Sequence, residues 1–455
     1  MPVRHASHPM SAAMERARSR RPKVALVHPY WSFWEASVPY DLRADREQFA
    51  AEARSGLAVE WVEPAQAECV LVLQTMATPP ATTLAALPPL PLVVWAAHRR
   101  RAVPEQFDHS GITTEGATVG TPMLTSVLVR EGRPFELVVG LIDDPETNAA
   151  VTAALCGAAG ASRVRGSRIA RVGPVQEGYL CVDTPDELLA ARLGVEVVRL
   201  PAAEVKAAYD RVTTARMRMI RDETESLYAI EAGGEGLERS LRAACAIEDL
   251  VSEHALSAGA INCHVPEIRL GGIGVAPCFG LGRSASAGVP WTCTGDVLTA
   301  AAMLISESVG GAAQYHELES YDYESGEFVI ASSGEHDLAL APGTRPSLIA
   351  NDWFKSDPCV GVCARFSPAA GAASLLALAD IGHDYRLIVA DGDFTGRAFP
   401  ATGTANAGFR FRHGLAGWRR WCDLGASHHS CASPGELSAI TASCARFLGI
   451  EHAVV

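Results

Sequence analysis

From Lys23 onward, short apolar runs alternate with longer amphipathic segments. KVALVHP (Lys23 to Pro29), ECVLVLQTM (Glu68 to Met76), LPLVVWAA (Leu90 to Ala97) and FELVVGLI (Phe135 to Ile142) are each a few residues long, most with turn residues nearby. Apolar runs of this length, separated by helical segments, predict buried parallel strands. The intervening helices are expected at Arg46 to Ser55, Pro122 to Glu131 and Glu146 to Ala161. Together they describe a doubly wound α/β domain over residues 23–166.

The alternation resumes at SRIARVG (Ser167 to Gly173). A helix from Asp186 to Gly194, a strand from Val195 to Leu200, helices from Ala202 to Val212 and Gly236 to His254, and a strand from Ala258 to Val265 follow. This predicts a second doubly wound, Rossmann-like parallel-sheet domain over residues 167–311. After about Gly310 the texture changes: EFVIASSG, YRLIVADGDF and ANAGFRFRHG are strand-like runs punctuated by Gly, Asp and Pro. Residues 312–455 are therefore expected to form a mainly antiparallel, β-barrel-like C-terminal domain closed by a helix from Pro434 to Leu448. Residues 1–22 carry several arginines and no apolar core of a secretory signal, so they are expected to be a disordered tail, with Met10 and Met14 as alternative starts.

A chain of 455 residues with 48% hydrophobic and 20% charged residues has the composition of a multidomain globular protein. Its formal charge of −13 disfavours nonspecific nucleic-acid binding, but leaves room for a small basic pocket that takes a phosphorylated or acidic ligand. No apolar run reaches the ~20 residues of a membrane span. The 12 cysteines lie mostly within apolar segments and read as free thiols of a reducing, cytoplasmic environment. Cys359 and Cys363 form a CxxxC, and Cys263 precedes His264, but neither has the paired spacing of a structural zinc site.

Candidate chemistry concentrates downstream. TGDVLTAAAMLISESVGG is expected to be a helix opening on Thr294-Gly295-Asp296, and Glu317, Glu319, Asp322, Glu335, His336 and Asp337 follow at loop or strand-end positions. Carboxylates with imidazoles suit Mn²⁺ or Mg²⁺ better than a thiolate-seeking metal. Near the C-terminus, His428 and His429 stand in GASHHSCASPGEL, where Ser433, Pro434 and Glu436 resemble a capped helix start. In extended backbone adjacent side chains point to opposite faces, so one histidine of the pair is expected to face any given site. FTGRAFPATGTANAGFRF offers Arg397, Thr402, Thr404 and Asn406 for sugar hydroxyls or an anionic group. GPVQEGY (Gly173 to Tyr179) falls at the usual ligand edge of an α/β sheet. Tyr30, Trp31, Phe33 and Trp34 could stack on a sugar ring or against another subunit. No P-loop, GxSxG elbow, HExxH or dinucleotide GxGxxG occurs.

The order TGDVLTAAA, GGAAQYHE, FVIASSGEHDLAL, DYRLIVADGDF, GASHHSCASPG resembles the L-arabinose isomerase and L-fucose isomerase family, with HSGITTEGATVGTPM matching more loosely. The resemblance implies aldose–ketose isomerisation through an enediol, a divalent metal such as Mn²⁺, a small-molecule carbohydrate substrate and a homo-oligomer. Of the family's four metal-ligand positions, the first carboxylate falls on Thr294, the second on Glu317, the first histidine on Ser333 and the last on His429. His336, three residues beyond Ser333, is the expected replacement, giving a metal set of Glu317, His336 and His429. Glu317, Glu335 and His428 are the expected catalytic groups. Asp296, two positions beyond Thr294, would point about 200° away if both lay on the helix. The alternative is a scaffold that binds a sugar without turnover, or that performs epimerase or lyase chemistry without the usual metal arrangement.

Overall fold

Strand formation in the first part of the chain follows the apolar runs closely. The computed structural model describes residues 21–343, 345–351 and 359–455; of the expected tail over residues 1–22, residues 1–20 lie outside them. Strands β1 (Lys23–Val27), β2 (Glu60–Trp61), β3 (Cys69–Gln74), β4 (Leu92–His98) and β5 (Phe135–Leu141) form one parallel sheet in the order β2-β1-β3-β4-β5. β3 is buried at every position, as its unbroken apolar run requires. β5 departs from the expected full burial: it is an edge strand, and Leu137 and Val139 are exposed. The helices between these strands run longer than expected, at Leu42–Ser55, Ala117–Arg130 and Pro145–Val164. Asp41 caps the first by accepting from the Arg43 and Ala44 amides. Arg21–Arg163 and Ala442–Gly449 make up this compact unit.

A second unit comprises Val164–Thr441 and Ile450–Val455. Its parallel sheet has the order β10-β9-β6-β7, built from β6 (Arg168–Val172), β7 (Glu196–Leu200), β9 (Ala258–Ile261) and β10 (Trp291–Thr292). A small sheet joins β8 (Ala229–Ile230) in parallel to β13 (Ser347–Ala350), which pairs antiparallel with β14 (Val362–Arg365). Sequence patterning missed this sheet, because β8 is only two residues long.

The largest sheet contains β11 (Gln314–Asp322), β12 (Glu327–Ala331), β15 (Gly371–Asp380), β16 (Tyr385–Phe394), β17 (Asn406–Phe411), β18 (His429–Pro434) and β19 (Glu451–Val454). Its pairings run β15-β18-β11-β12-β17-β16 and return to β15, closing a six-stranded antiparallel ring to which β19 adds in parallel on β16. It is an irregular ring, since β17 pairs with only three residues of β16 and β11 carries a register shift between Leu318 and Ser320. The expected final helix starts later than Pro434, at Ser438. Ser433 is no helix cap: it stands in β18, and its hydroxyl accepts from the Ala312 amide.

The helix Val297–Ser308 is buried around almost its whole circumference, packing against β9, β15 and β18. Its composition explains this, because apolar residues cover every face instead of one stripe. Among the described residues no helix is long and apolar enough to cross a membrane. Of the 12 cysteines only Cys181 and Cys422 are exposed.

One glycine sets the spacing between β9 and β10. Gly259 pairs with Trp291, and a Cβ at Gly259 would lie 2.4 Å from the indole ring. Trp291 is buried, so the ring has little room to give. Gly259→Ala should lower unfolding free energy by about 1–3 kcal/mol, the usual cost of overpacking. Urea denaturation checks this, and an unchanged midpoint would contradict the packing described.

Candidate active site

The site grows from the register of the antiparallel ring. His429 on β18 stands opposite Glu317 on β11, Glu317 opposite Ala331 on β12, and Ala331 opposite Asn406 on β17. Residues directly opposite in an antiparallel ladder share a face, so this row carries Glu317 and His429 as neighbours. His428 lies one residue before β18, and its carbonyl accepts from the Leu318 amide. The strict alternation expected of the pair therefore fails at the strand end. Both imidazoles come to the same place, with ring centroids 4.0 Å apart.

Ligand atoms of Glu317, His428 and His429 all lie within 4.8 Å of one another. His429 is buried and its Nδ1 is 2.7 Å from Asp296 Oδ2. Asp296 is itself fully buried and caps the helix Val297–Ser308 by accepting from the Thr299 amide. Thr294 precedes the helix, with φ of 56°. The helical offset expected between Thr294 and Asp296 thus does not apply, and the carboxylate reaches the site through His429. With Nδ1 held by a carboxylate, His429 presents Nε2 to a ligand, as metal-binding histidines commonly do.

Burial alone lowers the pKa of both imidazoles. At His429 the bond and charge of Asp296, with Glu317 and Glu335, outweigh it and carry the net shift upward. At His428 burial dominates and its charged neighbour His429 adds to it, so that pKa falls. Two adjacent histidines are thus pushed apart in basicity.

Tyr179, Cys263, His264, Cys278, Cys293, Thr294, Glu317, Ser333 and His429 enclose a cavity of about 190 Å³. Tyr179 comes from GPVQEGY, at the sheet edge where that segment was expected to meet a ligand. Glu317 Oε1 accepts from Ser333 Oγ at 2.6 Å and from Tyr315 Oη at 3.1 Å. The Thr294 hydroxyl donates to the Cys293 carbonyl at 2.7 Å.

His336 is not brought to this cluster. Its Nε2 is 2.7 Å from the Tyr228 hydroxyl, and its ring lies so close to Gly282 that a Cβ there would fall 2.0 Å from Nδ1. Burial lowers it to about 3, leaving a neutral core imidazole. Nor do Arg397, Thr402, Thr404 and Asn406 furnish the cavity wall. Arg397 is exposed and paired with Asp322 at 2.5 Å, and Thr402 ends a short helical turn, Pro400–Thr402. Thr404 is buried, and the Asn406 amide is spent on the Thr404 carbonyl, the Phe399 amide and Ser367. The cysteine wall was missed as part of the site, since small apolar side chains carry no spacing signal.

Glu335 is the unusual acid of this region. It is buried, and burial, reinforced by the charge of Glu317, pushes it up to about 7 against the weaker opposing pull of its own backbone amide and the Cys293 thiol. From about pH 4.5 to about pH 7 the folded protein keeps a proton that the unfolded chain has released. Stability contributed by the protonated acid is therefore complete below that window and lost as pH rises through it. Glu335→Gln keeps a neutral side chain throughout. Its stability relative to the parent should rise by about 3 kcal/mol between about pH 4.5 and pH 8, measured by urea melts on metal-free protein. A difference independent of pH would show that Glu335 titrates normally.

Comparison with known proteins agrees with this geometry. Residues 316–451 match the L-arabinose isomerase C-terminal domain, the segment that contains Glu317, His428 and His429. An L-arabinose isomerase of Mycolicibacterium smegmatis is 29% identical over 273 residues, 56% of this chain and 52% of that protein. One from Nocardioides sp. is 26% identical over 314 residues, covering 66% and 61% of the two chains. One from Tolumonas auensis is 24% identical over 337 residues, covering 71% and 67%. The matched region thus spans between about half and two thirds of the length of these relatives. The chain resembles the L-arabinose isomerase family, most clearly in the antiparallel C-terminal region that carries the site.

Proposed function

We propose that this protein is a sugar isomerase-like enzyme that interconverts an aldose and a ketose at the cavity bounded by Glu317 and His429. The observation that carries the reading is the convergence of Glu317, His428 and His429 within 4.8 Å, inside the region that matches the isomerase domain. A divalent cation fits these residues. One carboxylate and two imidazoles suit first-row divalent ions such as Mn²⁺, and Asp296 already fixes the ring of His429. A bound ion of this kind supplies Lewis-acid polarisation of adjacent carbonyl and hydroxyl oxygens.

The chain's own groups account for the rest. Asp296 holds His429 in one tautomer and orientation. Ser333 and Tyr315 donate to Glu317 Oε1, which fixes the carboxylate and leaves Oε2 free of them. Glu335, buried behind the cavity wall beside Cys293 and with its pKa near neutrality, is suited to hold or release a proton for the groups that line the site. His428, the less basic imidazole, is the more easily kept neutral and so offers an unprotonated nitrogen to the ion. Tyr179 and the cysteine wall limit access of water.

A second reading, sugar binding without turnover, draws on Thr294 and Ser333. Both face the cavity with hydroxyls where the family pattern places charged or imidazole ligands, and both hydroxyls are tied to neighbouring groups.

Assay of an aldose panel with Mn²⁺ distinguishes the two readings. Ketose formation that is lost in His429→Ala supports isomerisation. Ligand-induced stabilisation without product in any case supports the binding reading. Asp296→Ala should weaken Mn²⁺ binding about 10–100-fold, measured by calorimetry on the full chain. Unchanged affinity would show that Asp296 does not position His429 for the ion.

A further inference from the structure

A second site stands in the unit formed by Arg21–Arg163 and Ala442–Gly449. Leu26 of β1, His28 and Tyr30 just after it, and Arg43, Arg46, Arg54 and Trp61 line a cavity of about 710 Å³ that runs along the helix Leu42–Ser55 between β1 and β2. That volume accommodates a small organic molecule.

Arg46 is the decisive residue. It lies on the buried stripe of the helix Leu42–Ser55, with Leu42, Phe49 and Ala53, and is 4% exposed. A buried guanidinium is ordinarily matched by a carboxylate, because removing its charge from water is costly. Among the described residues Arg46 has no ion pair, and its Nε has no hydrogen-bond partner. One Nη contacts His28 Nε2, which is also 3.0 Å from Thr75 Oγ1. His28 cannot neutralise it: burial, then the charges of Arg46, Arg99 and Arg54, pull that imidazole down to about 3. Burial likewise brings Arg46 itself down to about 10.

The surrounding cations leave the pocket positive. Arg54 makes no ion pair among the described residues and lies over the Trp61 ring at 5.6 Å. Arg43 lies over the Tyr30 ring at 4.8 Å and reaches Glu35 only at 3.5 Å. Glu47 is the single carboxylate on the wall, against three guanidinia. We infer that this cavity binds a phosphorylated small molecule, its phosphate received by Arg46 with Arg43 and Arg54, and its organic part lying between Tyr30 and Trp61. Guanidinium groups match phosphate oxygens in geometry as well as in charge. The overall charge of −13 makes such a pocket stand out from the rest of the chain.

Calorimetric titration of the full chain with inorganic phosphate, glucose 6-phosphate and glucose, at matched ionic strength in chloride, tests the inference. Saturable binding of the phosphate ester, tighter than inorganic phosphate and absent for glucose, is expected. Arg46→Gln should weaken it at least tenfold. Arg43→Gln/Arg54→Gln, which changes two exposed side chains and leaves the helix stripe intact, should weaken it at least fivefold. Saturation by inorganic phosphate with equal or higher affinity than the ester would narrow the site to free phosphate and overturn the organic part. No saturable binding by the parent, or undiminished binding in the double variant, would overturn the site altogether. Loss of self-association in the double variant, with no phosphate binding by the parent, would assign the arginines to a subunit contact instead.

Discussion

The site depends on one buried carboxylate. Asp296 is fully enclosed, and an ionised carboxylate in that position is tolerated only when its oxygens are engaged. One oxygen receives the Thr299 amide and so starts a helix, and the other meets Nδ1 of His429 and so orients a strand-end imidazole. The helix it starts is buried on nearly all sides, between β9 of the parallel sheet and β15 and β18 of the ring. A single side chain therefore ties helix initiation, sheet packing and the tautomer of a site residue to one another.

Around that tie the titratable groups are sorted by environment. His429 gains a carboxylate and rises, while His428, beside it, loses basicity through burial and through His429. Glu335, with no ion-pair partner among the described residues to offset its burial, is driven towards neutrality of charge near pH 7. Proton transfer at neutral pH needs groups of this intermediate kind, and carboxylates in water do not provide them. The cysteines on the wall keep the local dielectric low, with burial pushing the Cys278 and Cys293 thiols well up, so they act as apolar surface.

Much of the architecture was legible in the sequence, because parallel strands buried on both faces leave unbroken apolar runs such as Cys69–Gln74. The change of texture after Gly310 likewise announced the antiparallel ring. What could not be read was what depends on register and on strand ends. His428 sits one position outside β18, which cancels the alternation rule, and Asp296 sits one position before its helix, which cancels the helical wheel. His336 illustrates the opposite case: its position near Ser333 in sequence suggested a ligand, but Gly282 opens a slot that accepts the ring into the core. In the Gly/Thr/Asn-rich loop Asn406 turns its amide to the loop's own backbone, and Arg397 pairs with Asp322, so neither reaches the cavity.

Closure of the six-stranded ring has a further consequence. A strand in an open sheet can slip by one residue at the expense of its own ladder, and every such slip moves its side chains to the opposite face. Here six ladders return to their starting strand, so a slip of β18 against β11 would have to be absorbed all the way round. The pairing of His429 with Glu317 is thus a reading of the whole circumference. The contact between the two residues is therefore a report on the integrity of the completed ring.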